Sequence, residues 1–411
     1  MAGKKRILLL TQYFPPETGA PQNRLGALAQ FLHSNYEVEV LTSMPNYPAL
    51  KLFEGYENKT AFTEKWKEIL VHRVELFVGG KGFVNRLKTY FSFMRNASKY
   101  SKKELSDRTF DIIFCESPPL FLGITALQLS KSFDAKLVMN ISDLWPESVE
   151  KLGVVTNKLI LAPFYWLEKY LYKKSALITG QTQGIVDSVK GKLKNESTRV
   201  LWYPNGIALK ELELPTETPA SIKSIIPEGK KIILYAGNFG FAQGLDIILK
   251  AASKLKSQEE LHFILIGDGP EREALLEMKS NLKLSNCDIH RSVSRIELFS
   301  LIQLSFAYIV PLKRIELFLG AIPSKIFEPL AMGVPVLLGV DGEARKIFCQ
   351  DVKAAKYFTP ENVEDLSRSI IELLENEDLR NELIREGKAL VAGTFDRDRI
   401  QTQLQKELDL L

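Results

Sequence analysis

The sequence predicts an α/β protein built from two doubly wound, Rossmann-like parallel sheets. Short β-rich apolar runs alternate with helical patterns along the chain, and this alternation restarts after a turn signal at Pro204-Asn-Gly206. With 411 residues, the chain exceeds the size at which one hydrophobic core usually stops growing. We therefore expect two domains facing each other across a deep cleft, where the carboxyl ends of both sheets bind ligands.

The order of the apolar runs sets the expected domain boundaries. Strands are predicted in the first half at residues 6–11, 36–42, 69–77, 111–115, 136–141, 176–180 and 198–202. Strands are predicted in the second half at 231–236, 261–266, 287–290, 304–311 and 334–338. The expected organisation is an N-terminal domain at 1–205, a linker at 206–230, a C-terminal domain at 231–395, and a terminal helix at 396–411 that packs back toward the N-terminal domain.

The composition is that of an ordinary globular protein, with 45% hydrophobic and 25% charged residues. No apolar run approaches the roughly 18 residues that a membrane-spanning helix needs. The basic start of the chain lacks the apolar length and small-residue site of a signal peptide. Three cysteines without paired spacing fit reduced thiols, so we expect a cytoplasmic protein.

Positive charge is concentrated in the first half, where residues 1–205 hold 28 Lys and Arg against 19 Asp and Glu. Lys81 to Lys103 contains seven cations and no acid, interleaved with aromatic residues. This pattern favours an interfacial helix on the anionic inner leaflet of a membrane, and 164–174 adds a second aromatic, basic stretch. The alternative is a pair of core-facing helices with solvated lysines. Nucleic acid is not expected as a partner, because no known binding module accompanies the charge.

Glycine-rich loops follow three predicted strands. Gly19 precedes a helix after the first strand, so nearby N–H groups could approach a phosphate. Three glycines occur between Gly237 and Gly244, and Gly267-Asp268-Gly follows the next strand. Close approach of the backbone to an anionic ligand is one interpretation of these loops. A proline-stiffened connector at Gly19 and tight turns at the other two loops are the alternatives.

The segment Ile322-Pro-Ser-Lys-Ile-Phe-Glu328 presents a cation and a carboxylate together. Its proline and Ser324 suit a helix start, and Gly333 suits the helix end. Lys325 and Glu328 are three residues apart and are predicted to share a helical face. A nucleoside diphosphate needs a cation for its phosphates and a carboxylate for its ribose hydroxyls. An exposed ion pair is the alternative, and Pro329 is expected to kink the helix.

Six segments together resemble a known family over essentially the whole chain. They are Phe14-Pro-Pro, Asp143-Leu-Trp-Pro-Glu-Ser148, Gly237-Asn-Phe-Gly-Phe-Ala-Gln-Gly244, Gly267-Asp-Gly, Pro323-Ser-Lys325 and Phe327-Glu-Pro-Leu-Ala-Met-Gly-Val-Pro-Val336. The chain resembles the family 4 retaining glycosyltransferases of GT-B fold, and among them the bacterial L-fucosamine (N-acetylfucosamine) transferases. The resemblance implies retaining transfer from a nucleotide sugar without an essential metal or other cofactor. It also implies that the N-terminal domain binds the acceptor and the C-terminal domain binds the donor.

In its second half, the chain departs from the family pattern at three positions. Gly320 stands where the first of two glutamates would be, and Glu328 matches the second, which by resemblance binds ribose. Asn238 and Gln243 occupy the positions of the arginine and lysine that usually bind the diphosphate. Some other cation must therefore replace them, and Lys325 is our candidate, with Arg314 in reserve. The expected donor-binding residues are Gly19, Asn238, Gln243, Gly267, Asp268, Ser324, Lys325 and Glu328.

Two carboxylates follow predicted strands of the first half. Glu116 occupies the position of a family histidine that positions the reacting sugars, and Asp143 follows the next strand. Each is a candidate to accept the acceptor's hydroxyl proton or to bind the donor sugar, and a helix cap or salt bridge is the alternative for each. The resemblance also implies a front-face substitution in which the leaving phosphate helps to deprotonate the acceptor.

These observations predict transfer of an N-acetylated deoxyhexosamine or hexosamine from a UDP donor. The expected acceptor is a saccharide linked to a lipid diphosphate in O-antigen or capsule synthesis. The chain is expected to act as a peripheral enzyme at the inner membrane face. A different GT-B enzyme, such as a sugar-nucleotide epimerase, and a non-catalytic sugar-binding protein are the alternatives.

Overall fold

The computed structural model describes residues 4–47, 50–79, 82–151, 153, 155, 157–194, 197–212 and 217–411. The chain forms two compact units. Unit 1 comprises the residues up to 204 together with 401–411, and unit 2 comprises residues 205–400. Each unit contains one sheet with helices packed on it, which confirms the predicted pair of doubly wound α/β domains.

The sheet of unit 1 has eight strands in the order β3-β4-β2-β1-β5-β6-β7-β8. The strands are β1 (Arg6–Leu10), β2 (Glu37–Ser43), β3 (Ala61–Trp66), β4 (Ile69–Val74), β5 (Ile112–Ser117), β6 (Lys136–Ile141), β7 (Leu177–Gly180) and β8 (Arg199–Trp202). Only the pair β3 and β4 is antiparallel among these neighbours. Apolar side chains of the central strands are buried on both faces, as parallel sheets require.

Six helices follow these strands in unit 1. They are α1 (Ala20–Asn35), α2 (Phe83–Glu104), α3 (Leu122–Ser132), α4 (Glu147–Lys151), α5 (Lys158–Lys174) and α6 (Gln183–Leu193). Phe93 and Ala97 bury one face of α2 in the core of unit 1. Residues 401–411 also pack in this unit, where the Tyr36 hydroxyl donates a 2.6 Å hydrogen bond to the carboxylate of Asp409.

The sheet of unit 2 has six parallel strands in the order β11-β10-β9-β12-β13-β14. The strands are β9 (Lys231–Ala236), β10 (Leu261–Ile266), β11 (Cys287–His290), β12 (Ala307–Pro311), β13 (Val336–Gly339) and β14 (Lys356–Tyr357). This is the strand order of a dinucleotide-binding Rossmann domain. The order reverses between β9 and β12, so this pair marks the switch point of the sheet.

The helices of unit 2 include one with a complete start signal. They are α7 (Ala220–Lys223), α8 (Asp246–Lys254), α9 (Arg272–Asn281), α10 (Arg295–Gln303), α11 (Phe327–Met332), α12 (Glu343–Arg345), α13 (Val363–Glu375) and α14 (Glu377–Leu390), followed by α15 (Arg397–Asp409), which continues into residues 401–411 of unit 1. Ser294 and Glu297 form a capping box at the start of α10. No helix in the described ranges is long and apolar enough to cross a bilayer.

Two strands escape prediction from the sequence. In β3, exposed and half-buried side chains alternate, and the turn into β4 places Lys67 and Glu68 at φ values of 46° and 66°. Hairpin turns with two positive φ values usually carry asparagine or glycine, so this turn has no recognisable signal. β14 has only two residues, which is too short to give a hydrophobic pattern.

Pro329 lies where a helix tolerates proline, so its position does not require the expected kink. A 3-10 turn at Ser324–Ile326 precedes α11, and α11 begins at Phe327. Pro329 is therefore the third residue of the helix, where its missing N–H has no intrahelical partner to lose. Lys325 belongs to the turn and Glu328 to the helix, so they do not share a regular helical face. Gly333 ends α11 with a left-handed φ of 78°, as the sequence predicts.

Candidate active site

Three loops lie at the carboxyl ends of β9, β10 and β12 in unit 2. Residues 237–244 follow β9, residues 267–269 follow β10, and residues 312–326 lead from β12 toward α11. Ligands of open α/β sheets bind outside the carboxyl ends of the strands at the switch point. The predicted donor-binding residues of unit 2 all lie in these loops or at the start of α11.

The first two loops are held together by backbone contacts that only glycine permits. A Cβ on Gly267 would lie 1.9 Å from the carbonyl oxygen of Gly237, and Gly267 has a φ of 156°. The N–H of Phe239 donates to the Asp268 carbonyl at 2.8 Å, and the Glu271 N–H donates to the Phe239 carbonyl at 2.9 Å. The glycines therefore serve close backbone packing, and the loops form one rigid surface.

Lys325 lies against this surface. Its Nζ donates a 2.8 Å hydrogen bond to the hydroxyl of Tyr235 and lies 4.4 Å from the centre of that ring. The Tyr235 hydroxyl in turn donates to the carbonyl of Asn238 at 2.8 Å. A Cβ on Gly237 would lie 2.9 Å from the Lys325 ammonium. Gly237 therefore leaves the space that the ammonium occupies.

The surroundings of Lys325 destabilise its charge. Burial lowers the pKa of Lys325 to about 8. The lysine forms no salt bridge with the described residues. An anionic ligand would stabilise this desolvated ammonium group, because the anion supplies the missing counter-charge.

Lys313 is a second cation at the same loop, and no motif in the sequence indicates it. Its Nζ lies 3.2 Å from the centre of the exposed Phe241 ring, and its backbone N–H donates to the Ala242 carbonyl at 2.9 Å. A Cβ on Gly244 would lie 3.0 Å from the Lys313 side chain. The 68 residues between Gly244 and Lys313 leave no local pattern from which this contact could be predicted.

Glu328 is a half-buried carboxylate without a hydrogen-bonding partner among the described residues. Burial raises its pKa, and the charges of Arg295 and Arg397 oppose that shift. A carboxylate with unused acceptor capacity can receive two hydroxyl donors from a ligand. Among the described residues, Glu328 and Lys325 do not form an ion pair, so each is available to a different part of a ligand.

The remaining predicted donor residues of unit 2 have different surroundings. The Asn238 Nδ2 and Gln243 Oε1 atoms lie 2.8 and 3.0 Å from the position of a Cβ on Gly240, so both side chains gather over that glycine. Asp268 accepts a 2.8 Å hydrogen bond from the Gly269 N–H. Ser324 is exposed in the turn before α11.

Arg314, the reserve candidate, follows Lys313 in the loop after β12. It lines a cavity of about 540 Å³ together with Lys313 and Arg345. Its Nε is 3.7 Å from the carboxylate of Asp341, and its backbone N–H donates to Glu361 at 2.9 Å. Among the described residues, no hydrogen bond or ion pair joins Arg314 to residues 237–244, so Lys313 is the better second cation.

In unit 1, Glu116 is the centre of a closed polar network at the end of β5. Its carboxylate accepts hydrogen bonds from Arg24 at 2.6 Å, Ser142 at 2.8 Å and Asn140. Arg24 also lies beside the Gln181 amide, which accepts from the guanidinium nitrogens at 2.6 to 2.9 Å when its oxygen is oriented toward Arg24. The Glu116 side chain is only 3% exposed. These contacts favour the interpretation that Glu116 forms a salt bridge and orients Arg24.

Asp143 is an exposed residue that follows β6. Desolvation by the surrounding protein raises the pKa of its carboxyl above the usual value, against hydrogen bonds from Ser148 and the Leu144 N–H. Unlike Glu116, it forms no ion pair with the described residues. Asp143 is therefore the carboxylate of unit 1 that remains accessible and more basic than usual.

Gly19 lies at the start of α1 in unit 1 and is tightly packed. A Cβ there would lie 2.5 Å from the Gln22 Oε1 atom, which accepts no hydrogen bond from the described residues. Glu17 holds the loop by accepting hydrogen bonds from the N–H groups of Asn46 and Tyr47 at 2.7 and 2.8 Å. Within the described ranges, no group of three or more metal-ligating side chains is present.

The sequence of unit 2 matches a known family. Residues 217–390 match the model of the family described as Glycosyl transferases group 1. Over 348 residues, the chain is 25% identical to the putative colanic acid biosynthesis glycosyl transferase WcaI of Escherichia coli. That alignment covers 80% of this chain and 81% of the relative. The family match includes Lys325 and Glu328.

Solved structures match both units. Sucrose-phosphate synthase from Thermosynechococcus elongatus aligns with a TM-score of 0.70 and 16% identity, covering 99% of each chain. Anabaena HepE in complex with UDP and glucose aligns with a TM-score of 0.68 and 16% identity, covering 99% of this chain and all of that one. These matches confirm the predicted GT-B fold class.

Proposed function

We propose that the chain, which is a nucleotide-sugar-dependent glycosyltransferase, transfers an N-acetylated deoxyhexosamine or hexosamine from a UDP donor to a lipid-linked saccharide. The acceptor is a lipid-diphosphate saccharide of O-antigen or capsule synthesis, and the anomeric configuration is retained. The observation that carries this proposal is that the switch point of unit 2 holds a desolvated lysine, Lys325, and a glutamate, Glu328, that has no hydrogen-bonding partner among the described residues. The names of WcaI, for colanic acid, and HepE, for its UDP complex, support a polysaccharide product and a UDP donor.

Lys325 and Lys313 bind the donor diphosphate in this proposal. Both ammonium groups lie at the loop 237–244, where Asn238 and Gln243 offer no charge. The leaving diphosphate gains negative charge as the glycosidic bond breaks, and a fixed cation stabilises that charge. Because two lysines supply it, we expect no metal requirement.

Glu328 binds the ribose of the donor. Its carboxylate is half-buried and without a partner among the described residues, so two ribose hydroxyls can donate to it. The resemblance to family 4 assigns the same role to this position. Ligand hydrogen bonds would also relieve the desolvation that raises the pKa of Glu328.

On the acceptor side, Asp143 carries the chemical role and Glu116 the positioning role. The Glu116 carboxylate already accepts hydrogen bonds from Arg24, Asn140 and Ser142. Asp143 is exposed and more basic than an ordinary aspartate, so it is suited to accept a hydrogen bond or proton from the acceptor hydroxyl. The leaving phosphate shares this task in a front-face substitution.

A basic, aromatic surface of unit 1 supports peripheral binding to the anionic inner membrane face. The predicted stretch runs from Lys81, which lies outside the described residues, to Lys103. Within α2, Val84 and Phe91 are 63% and 43% exposed amid cations. On α5, Leu159 and Trp166 are 84% and 67% exposed. Exposed apolar side chains next to lysines fit an anionic bilayer surface in the cytoplasm.

We expect the activity to depend on pH through Lys325. The ammonium of Lys325 has a lowered pKa of about 8, so it loses its proton as the pH rises through that value. The value of kcat/KM for the donor is therefore expected to fall as the pH is raised from 7 to 9. In Lys325→Arg, whose guanidinium stays charged, the residual activity is expected to lack this basic limb. A pH profile of both proteins with saturating acceptor tests this, and identical basic limbs would contradict it.

We expect membrane binding to depend on the exposed Trp166. Trp166→Ser is expected to weaken binding to phosphatidylglycerol vesicles about tenfold, because a tryptophan contributes a large apolar area at an interface. Trp166 stacks on Tyr170 at the surface, so the change leaves the core intact. Vesicle co-sedimentation measures the effect. Leu410→Ser, a change of another exposed apolar residue, is the matched control, and equal losses in both variants would argue against this surface.

A transfer assay tests the proposed reaction. The full chain would be incubated with UDP-N-acetylhexosamines and short-chain lipid-diphosphate saccharides, and the product linkage analysed by NMR. We expect transfer with the donor's anomeric configuration. Inversion would contradict the retaining mechanism. Epimerised donor without transfer would identify an epimerase, and binding without turnover a sugar-binding protein.

A further inference from the structure

A tyrosine near the end of β9 connects Lys325 to the loop that follows the strand. Tyr235 is fully buried, and its hydroxyl accepts a 2.8 Å hydrogen bond from the Lys325 ammonium. The same hydroxyl donates to the Asn238 carbonyl at 2.8 Å. An ammonium can only donate and a carbonyl can only accept, so the direction of both hydrogen bonds is fixed. Tyr235 must therefore be a neutral phenol, and burial raises its pKa in agreement with this.

The ring of Tyr235 also confines the ammonium. The Lys325 Nζ lies 4.4 Å from the ring centre, a distance at which a cation is attracted to an aromatic face. A Cβ on Gly237 would lie 2.9 Å from this ammonium, so the backbone of Gly237 bounds the same space. Among the described residues, Tyr235 is the titratable group that contacts the ammonium, and no carboxylate pairs with it. The location of this charge therefore depends on Tyr235.

The sheet holds Tyr235 rigidly, whereas Lys325 comes from a turn. Tyr235 pairs with Leu265 of β10, and its ring packs 6.1 Å from that of Phe239. Lys325 lies in the 3-10 turn Ser324–Ile326 and carries its charge on a flexible four-carbon stem. Such a side chain adopts many conformations unless a neighbouring group selects one. A strand residue thus fixes the end of a long side chain.

The bond to Tyr235 leaves most of the ammonium's capacity unused. An ammonium has three N–H donors, and only the Tyr235 hydroxyl accepts from Lys325 among the described residues. The other donors remain for the oxygens of a bound diphosphate. We propose that Tyr235 is a positioning residue for sugar transfer, whose hydroxyl holds the Lys325 ammonium at the loop 237–244 before the diphosphate leaves. A charge already in place stabilises the leaving group without reorganisation. This inference rests on the proposed function, because it concerns the same donor site.

Tyr235→Phe tests this role, because it removes the hydroxyl and keeps the ring. We expect kcat to fall about tenfold, as for loss of one hydrogen bond to a charged group, and the donor KM to change less than about threefold. Tyr308→Phe is the matched control, because Tyr308 is a buried tyrosine of β12 that donates to the Ala236 carbonyl at 2.9 Å. Its kcat is expected to stay within about twofold of the unchanged protein. Equal losses in both variants, or none in Tyr235→Phe, would overturn the proposal.

A double variant shows whether Tyr235 acts through Lys325. In a Lys325→Met background, Tyr235→Phe is expected to cause no further loss of kcat, because no ammonium remains to be held. A further loss of about tenfold there would overturn the proposal. The basic limb of the pH profile is a second readout. The lost hydrogen bond stabilised the charged form, so in Tyr235→Phe the pKa of Lys325 should fall below about 8 and the limb should move to lower pH. A purely structural defect would leave the limb in place.

Labelling of Lys325 separates this proposal from the proposed function. The pH dependence of its acetylation by acetic anhydride, followed by mass spectrometry, reports the pKa of Lys325 without any transfer reaction. Tyr235→Phe is expected to lower this pKa, and Tyr308→Phe to leave it unchanged. If this shift occurs but the unchanged protein transfers no sugar, the proposed function fails, whereas the hold of Tyr235 on Lys325 stands. If the unchanged protein transfers sugar and Tyr235→Phe alters neither this pKa nor kcat, Tyr235 does not position Lys325.

Discussion

Replacing Lys325 with methionine is expected to lower kcat for sugar transfer by about 100- to 1,000-fold, the loss typical for a group that stabilises transition-state charge. Lys325 is the half-buried cation at the loop 237–244, held by Tyr235 and without a counter-ion among the described residues. Methionine keeps the length of the side chain and removes the charge. Steady-state kinetics with saturating donor and acceptor measure this effect.

The design of this variant separates catalysis from folding. Burial of the lysine's charge is unfavourable, as its lowered pKa indicates, so methionine is not expected to reduce thermal stability. Lys353→Met is the matched control, because Lys353 is an exposed lysine of the same unit that pairs with Glu382. A Lys325→Met enzyme that retains full turnover and donor affinity would remove this lysine from the mechanism.

Replacing Asp143 with asparagine is expected to reduce kcat about 100-fold or more, within the range for loss of a general base. The asparagine keeps the shape of the side chain but cannot accept a proton at neutral pH. Donor binding should be unchanged, because the residues proposed to bind the diphosphate and the ribose, Lys313, Lys325 and Glu328, lie in unit 2. Single-turnover transfer rates and thermal shifts with UDP sugars measure the two effects separately.

The acid side of the pH profile provides a second readout for Asp143. Desolvation raises the pKa of this carboxyl, and the reactive form is the ionised one. Activity should therefore fall with decreasing pH at a value above that of an ordinary aspartate, and Asp143→Asn should lack this limb. Asp107→Asn, at an exposed position of unit 1, is the control. A loss below about fivefold would assign deprotonation to the leaving phosphate alone.

The hydrophobic pattern was sufficient to predict both sheets because most of their strands are buried on both faces. Strands such as β9 and β10 form continuous apolar runs with glycines at their ends, and their predicted bounds agree with the structure. The half-exposed hairpin strand β3 gives no such run, and its Lys67-Glu68 turn has an atypical sequence. The local sequence therefore does not predict a strand whose side chains are largely exposed.

The site was only partly predictable for a related reason. Lys325 and Glu328 are close in sequence to one another and to a helix start, so their grouping has a local signal. Tyr235, which holds Lys325, is 90 residues away from it. The sequence indicates a carboxylate at Glu116 but not its contact with Arg24, which is 92 residues away along the chain. Contacts between side chains of distant loops depend on the fold and cannot be predicted from the spacing of residues in the sequence.

The binding of UDP at the loop 237–244 and Glu328 is tested most directly by thermal denaturation with nucleotides. UDP and UDP sugars at about 100 times their Kd should stabilise the protein by about 2.7 kcal/mol, seen as a rise in Tm. GDP and ADP should give smaller shifts, and Glu328→Gln should lose most of the rise with UDP. No stabilisation by any uridine nucleotide, or an equal rise in Glu328→Gln, would contradict the account.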